Sequence, residues 1–357
     1  MKNILLILVG GTICTAVNKH GTLSVSDGAG VALKENYLRS SSPFAGEVNI
    51  VLSKNLFILS ENMTVDKWSL MLEAYKNEVS KGEYDGVIFA HGTDTLAYSA
   101  ALFSILLANT SVPIFFVSSN ARLDLPRANG NENFRCAVEC VCKGITPDVY
   151  VAYKNISNGR MYIHRGAQIQ QCPNYSEDFF SFGAFDVTGI NDDDFFKLNE
   201  SLKEKYPQED KKAFVDINNG FTLENCVLML WPYVGMDYSV IDYSKFSAVL
   251  HGTYHSGTAC AEKTESCNHY GESSVLYMFD RCKEHNVAVY VSPSKKEGEV
   301  YDTVRIIGSH NNNQIKFLYG TTQEVAYAKL IIAYSAYKDK NKINEFLNSE
   351  INFEIVQ

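Results

Sequence analysis

MKNILLILVGGTICTAV, residues 1–17, admits two incompatible readings. A lysine, an apolar run and small residues describe a secretory leader; a buried strand ending in a glycine turn that presents a threonine describes the floor of a binding site. The apolar core ILLILV is six residues long, short of the roughly 7 to 15 of a leader's core, and no A-x-A-like cleavage site follows. Cys14 follows Ile13, which is not the small residue that a lipoprotein attachment site requires. The strand-and-turn reading is the expectation, with a cytoplasmic location.

Working outward, 357 residues exceed what one core usually holds, so two domains are expected. With 46% apolar, 12% aromatic and 20% charged residues the chain has ample material for buried cores. A net charge of -9 argues against a nucleic-acid partner, since phosphate binders cluster Lys and Arg on one face. No run approaches the roughly 18 apolar residues of a membrane span, so no membrane partner is expected. Nine cysteines, an odd number without framework spacing, read as reduced thiols. Cys260 and Cys267 with His255 and His269 match no ordinary zinc spacing, and no metal is expected.

Short β-branched or aromatic runs at 3–9, 86–90, 113–118 and 148–153 read as buried strands. Amphipathic stretches at 64–81, 95–109 and 131–143 read as the helices between them. That alternation predicts an α/β fold, a mainly parallel sheet covered by helices on both faces. The charged stretch 191–213 reads as a linker between a larger domain over 1–190 and a smaller α/β domain over 214–357. In the latter, strands are expected at 226–233, 246–252 and 287–292, and helices at 273–285 and 322–337.

Ligands of parallel sheets bind past the carboxyl ends of the strands. There the sequence places Gly10-Gly11-Thr12 and His91-Gly92-Thr93-Asp94-Thr95. Each sets a threonine hydroxyl beside glycine, where backbone N-H groups are uncovered. Taken singly, the first is an ordinary turn and the second an ordinary helix N-cap. A threonine hydroxyl is a poor nucleophile at neutral pH and needs a base, while a tetrahedral oxyanion needs N-H donors, which glycine-flanked turns supply.

GGTI at 10–13, SENMTVDKW at 60–68, HGTDTLAYSA at 91–100 and EGEVYD at 297–302 together resemble the bacterial-type L-asparaginase/glutaminase family, nearer its cytosolic type I members. The resemblance implies a two-domain α/β fold, a dimer or dimer of dimers, and hydrolysis of the side-chain amide of a small amino acid without cofactor. By position, Thr12 corresponds to the nucleophile, Thr93 to the second threonine and Asp94 to the group that holds the substrate amine. Ser60, Glu61 and Gly92 correspond to substrate-binding positions, and Glu299 to a residue reaching a neighbouring subunit's site.

Three departures stand out. The family lysine that pairs with the second threonine lies five residues past a glycine; five past Gly159 stands His164, or Arg165 if the register slips by one. A neutral imidazole is a competent base near pH 7, whereas a guanidinium is not. The alternative is that His164 is an incidental strand histidine and Lys154 or another group serves as the base. The segment 20–24 also lacks the tyrosine that many members fold over the nucleophile. Glu61, in place of a neutral residue, disfavours acidic ligands. These departures leave two alternatives to asparagine hydrolysis: a different carboxamide substrate, or a catalytically silent amino-acid-binding protein.

Overall fold

The computed structural model describes residues 1–17, 23–25, 27–262, 270–294, 301–310 and 315–356. It divides into two compact units, one of Met1–Leu223 with Ile351–Phe353, the other of Glu224–Glu350 with Glu354–Gln357.

The first unit is built on a seven-stranded sheet. Its strands are β1 (Lys2–Leu8), β2 (Val48–Leu52), β3 (Gly86–Ala90), β4 (Ile114–Val117), β5 (Val149–Lys154), β6 (Met161–Arg165) and β7 (Ala184–Asp186). The order is β7-β6-β5-β4-β3-β1-β2. The pairs from β2 to β5 are parallel, and β6 and β7 close the edge antiparallel. The continuous apolar run of β1 suits a strand covered on both faces: Ile4 through Ile7 are fully buried.

Helices α1 (Asp27–Leu38), α2 (Val65–Val79), α3 (Leu96–Leu106), α4 (Gly130–Cys142) and α5 (Asp192–Lys205) belong to this unit. Thr64 caps α2 by accepting from the Lys67 N-H, with Asp66 in the first turn. Helix α3, LAYSAALFSIL, is apolar all round and buried at ten positions, as an interior helix must be.

The stretch expected as a linker is instead largely α5. Asn191 caps it through the Asp194 N-H, three aspartates occupy its first turn and two lysines its last. Phe195 and Leu202, two turns apart, are buried in the unit's core. The charge that reads as a linker is a helix N-terminus complementing its own dipole, and the division between units falls at Leu223.

The second unit carries a four-stranded parallel sheet in sequential order: β8 (Val227–Leu230), β9 (Ala248–His251), β10 (Ala288–Ser294) and β11 (Lys316–Tyr319). Helices α6 (Val275–Glu284), α7 (Asp302–Ser309), α8 (Gln323–Ala336) and α9 (Lys340–Asn348) complete it. Side chains of Ser274, Thr322 and Asp339 cap α6, α8 and α9. Among the described residues no helix is long and apolar enough to cross a membrane.

Candidate active site

The order β2-β1-β3-β4-β5 reverses direction between β1 and β3, and a crevice at such a reversal is where open parallel sheets bind ligands. The chain leaves β1 through Gly10 and Gly11. Val9 and Gly10 still donate to the Ala90 carbonyl at 3.0 and 3.2 Å, so the end of β1 stays on β3. Gly10 (φ 142°) bridges Ile58, and a side chain on it would meet the Ile58 carbonyl oxygen at 2.0 Å. Gly11 (φ 74°) lies so close to the other turn that a Cβ there would sit 2.1 Å from Gly92 Cα. A Cβ on Gly92 would in turn sit 2.5 Å from Ser60 Oγ. Only glycine permits this double approach.

Three single turns of 3-10 helix therefore meet: Thr12–Cys14, Ser60–Asn62 and Thr93–Thr95. Each begins with a hydroxyl residue and leaves its leading N-H groups open. Ser60 Oγ donates to Asp94 Oδ2 at 3.1 Å, and Thr95 Oγ1 donates to the Ser60 carbonyl at 3.0 Å. The Thr12 and Thr93 hydroxyls have no hydrogen-bond partner among the described residues. Both threonines are partly exposed, Asp94 and Glu61 are exposed, and Ser60 and Gly92 are buried. Cys14 is no rival nucleophile, because burial pushes its thiol up to about 12.

Residues 3–202 match the family model described as asparaginase, N-terminal. The chain belongs to the asparaginase family. The fold agrees: the L-asparaginase I of Vibrio cholerae superposes with a TM-score of 0.68 at 19% identity, covering 100% of this chain and 99% of that one. The thermostable L-asparaginase of Thermococcus kodakarensis gives 0.67 at 18%, covering 99% of each chain. By sequence, a protein from Methanococcus maripaludis named as a subunit of glutamyl-tRNA(Gln) amidotransferase is 25% identical over 99% of this chain and 81% of its own length. The protein of the same name from Methanosarcina acetivorans is 33% identical over 50% of this chain and 41% of its own.

Thr12, Ser60, Gly92, Thr93 and Asp94 thus come together, but this asparaginase-family chain does not bring His164 to Thr93. Register shows why. His164 pairs with Val151, Val151 with Phe116, and Phe116 with Phe89. The imidazole therefore stands three strands from β3, roughly 14 Å at about 4.8 Å per strand, and level with a residue that precedes Thr93 by four. His164 Nδ1 lies 2.9 Å from Ser181 Oγ; Nε2 is buried without a partner, and burial depresses the ring to about 4. Arg165 is fully buried, paired with Asp148 at 2.9 Å and stacked on Tyr206 at 3.7 Å. Lys154 pairs with Glu132 at 2.8 Å.

The side chain that does reach Thr93 is Gln171, whose Nε2 donates to the Thr93 carbonyl at 2.9 Å. After β6 the chain makes one further turn at Gly166–Gln168 and returns as Ile169–Gln170, paired with Phe180–Ser181. Counting five residues past Gly159 stops one turn short of that return. The same count of five taken from Gly166 rather than Gly159 ends on Gln171, which lies 78 residues from its partner. Glu299, residues 20–22 of the expected cover, Cys267 and His269 lie outside the described residues.

Proposed function

We propose that the chain hydrolyses the side-chain amide of L-asparagine to L-aspartate and ammonia through an acyl intermediate on Thr12. The observation that supports this reading is the close approach of the Gly11-Thr12 and Gly92-Thr93 turns, whose two threonine hydroxyls have no partner among the described residues. Thr12 Oγ forms a bond to the carboxamide carbon, and the negative oxygen so formed meets the N-H donors of the turns. Collapse breaks the C-N bond, the threonine proton departs with ammonia, and water then opens the ester. Asp94 accepts from the substrate ammonium, and the Ser60 hydroxyl, whose single proton goes to Asp94 at 3.1 Å in the free protein, turns that proton to the substrate carboxylate. Exposed Glu61 repels a second negative charge and so favours the uncharged amide over the product acid. A second copy, contributing Glu299, completes the site in a homo-oligomer.

A second reading is favoured by the relatives named as amidotransferase subunits, of which the one from Methanococcus maripaludis aligns along 99% of this chain. In it the amide nitrogen is released for an acceptor held by another protein.

Ammonia release from asparagine, glutamine and a panel of other amides tests both. Release from asparagine that falls at least about 10³-fold in Thr12→Ala supports the first reading. Release from other amides alone moves the substrate. Release only in the presence of a second protein supports the second reading, and binding without turnover leaves a silent amino-acid-binding protein.

A further inference from the structure

Resting on the reading of Thr12 and Thr93 as the reacting turns, we propose that His91, oriented by Ser99 and Trp68, is a positioning residue that sets the Gly92-Thr93 peptide plane. The chain of contacts is complete. His91 Nδ1 lies 2.8 Å from the Gly92 carbonyl oxygen, His91 Nε2 lies 3.0 Å from Ser99 Oγ, and the Trp68 indole Nε1-H donates to Ser99 Oγ at 2.9 Å. His91 and Ser99 are fully buried, and Trp68 is 4% exposed.

The two ends of this chain decide every proton in it. A carbonyl oxygen only accepts, so Nδ1 carries the ring proton. An indole N-H only donates, so Ser99 Oγ accepts from Trp68 and gives its own proton to Nε2. Burial pushes the ring down to about 4, so it stays neutral near pH 7 and keeps a single tautomer. Three elements converge on one peptide: α2 supplies Trp68, α3 supplies Ser99, and the end of β3 supplies His91.

The consequence lies on the other side of that peptide. In a trans peptide the carbonyl and the following N-H point in opposite directions. Holding the Gly92 carbonyl against the imidazole aims the Thr93 N-H away from it, and no partner for that N-H exists among the described residues. A fixed donor at a reacting centre acts without reorganising, which is the basis of its value in a transition state. The network also explains Trp68 of the NMTVDKW stretch, because its N-H anchors the far end of the chain.

Two isosteres separate positioning from mere packing. Asparagine places an N-H where Nδ1 stands and so keeps the bond to Gly92; glutamine places a polar atom near Nε2 and loses it. In the full chain, His91→Gln is expected to lower kcat for the amide turned over best by about 10²-fold, with KM within about threefold. His91→Asn is expected to recover kcat to within about tenfold of the parent. Nitrogen-15 spectra of the parent should show the neutral Nδ1-H tautomer, and the Thr93 amide resonance should move in the glutamine variant and hold in the asparagine one. Equal losses in both variants, unchanged kcat in His91→Gln, or an Nε2-H tautomer overturns the proposal. If the parent releases no ammonia from any amide, the hydrolase reading fails, and the tautomer with the Thr93 resonance still decides the network. The tautomer is read without a variant, so a substitution that prevents folding leaves the test intact.

Discussion

Replacing Gly11 by alanine should separate the two turns. The new methyl would lie 2.1 Å from Gly92 Cα and 2.5 Å from Gly92 N, both backbone atoms that cannot swing aside. Carbon atoms rest at about 3.5 to 4.0 Å, so the turns must part by roughly 1.4 to 1.9 Å. Displacing a reacting group by about 1 Å costs on the order of 10²-fold in rate. Gly11 also holds φ 74° and ψ -172°, a region open essentially to glycine alone; occupying it with alanine costs about 1 to 3 kcal/mol. In a unit of this size that lowers Tm by roughly 2 to 10 °C. Ammonia release and thermal unfolding, measured together, should show a folded protein with kcat/KM down about 100-fold. Gly159 (φ 67°), where an added Cβ meets nothing within 4 Å, is the control: Gly159→Ala carries the backbone strain without the clash. Activity of Gly11→Ala within threefold of the parent would refute the contact as the organiser of the site, and so would an equal loss in Gly159→Ala.

Three other outcomes follow from the same geometry. Gln171→Lys puts an amine where an amide now touches Thr93, and kcat/KM at pH 8 to 9 should rise at least about tenfold; an unchanged or lower rate would sink the assignment of that position. Asp148→Ala strands Arg165 and Lys211, whose side chains are 0% exposed. Unfolding by urea should show a loss of about 3 to 5 kcal/mol, and a loss under about 1 kcal/mol would count against the buried pair. His91, His164 and His251 are each depressed to about 4 by burial. The unfolded chain, with ordinary histidines near 6.5, then binds more protons, so this stability is complete above about pH 6.5 and is lost as pH falls towards 4. For His164 the loss at pH 5 is roughly 2 kcal/mol, and His164→Asn should show a correspondingly shallower decline; parallel curves for parent and variant would contradict it.

The central strands could be read from the chain because they are buried on both faces and therefore continuously apolar, as in GVIFA at 86–90. The turn that presents Thr12 was readable for a related reason: two glycines before a threonine mark a backbone that needs positive φ and close approach. Edge strands escaped, since β2, VNIVL, is interrupted by Asn49 and buried at only two of its five positions, and β7 is three residues long. Composition misled at 191–213, where the order of charges, acidic first and basic last, carried more information than their number.

What the amino-acid sequence determined by itself is local: which segments are buried, where they turn, and that Thr12 and Thr93 stand just past strand ends. Tertiary structure alone decided which groups meet them. His164 and Gln171 are seven residues apart, yet an antiparallel return separates a buried strand histidine from the side chain on Thr93. Trp68, Ser99 and His91 likewise become one hydrogen-bonded chain only when α2 and α3 pack at the end of β3. Residues distant along the chain are joined by burial of the faces that carry them, and a local pattern holds no record of that pairing.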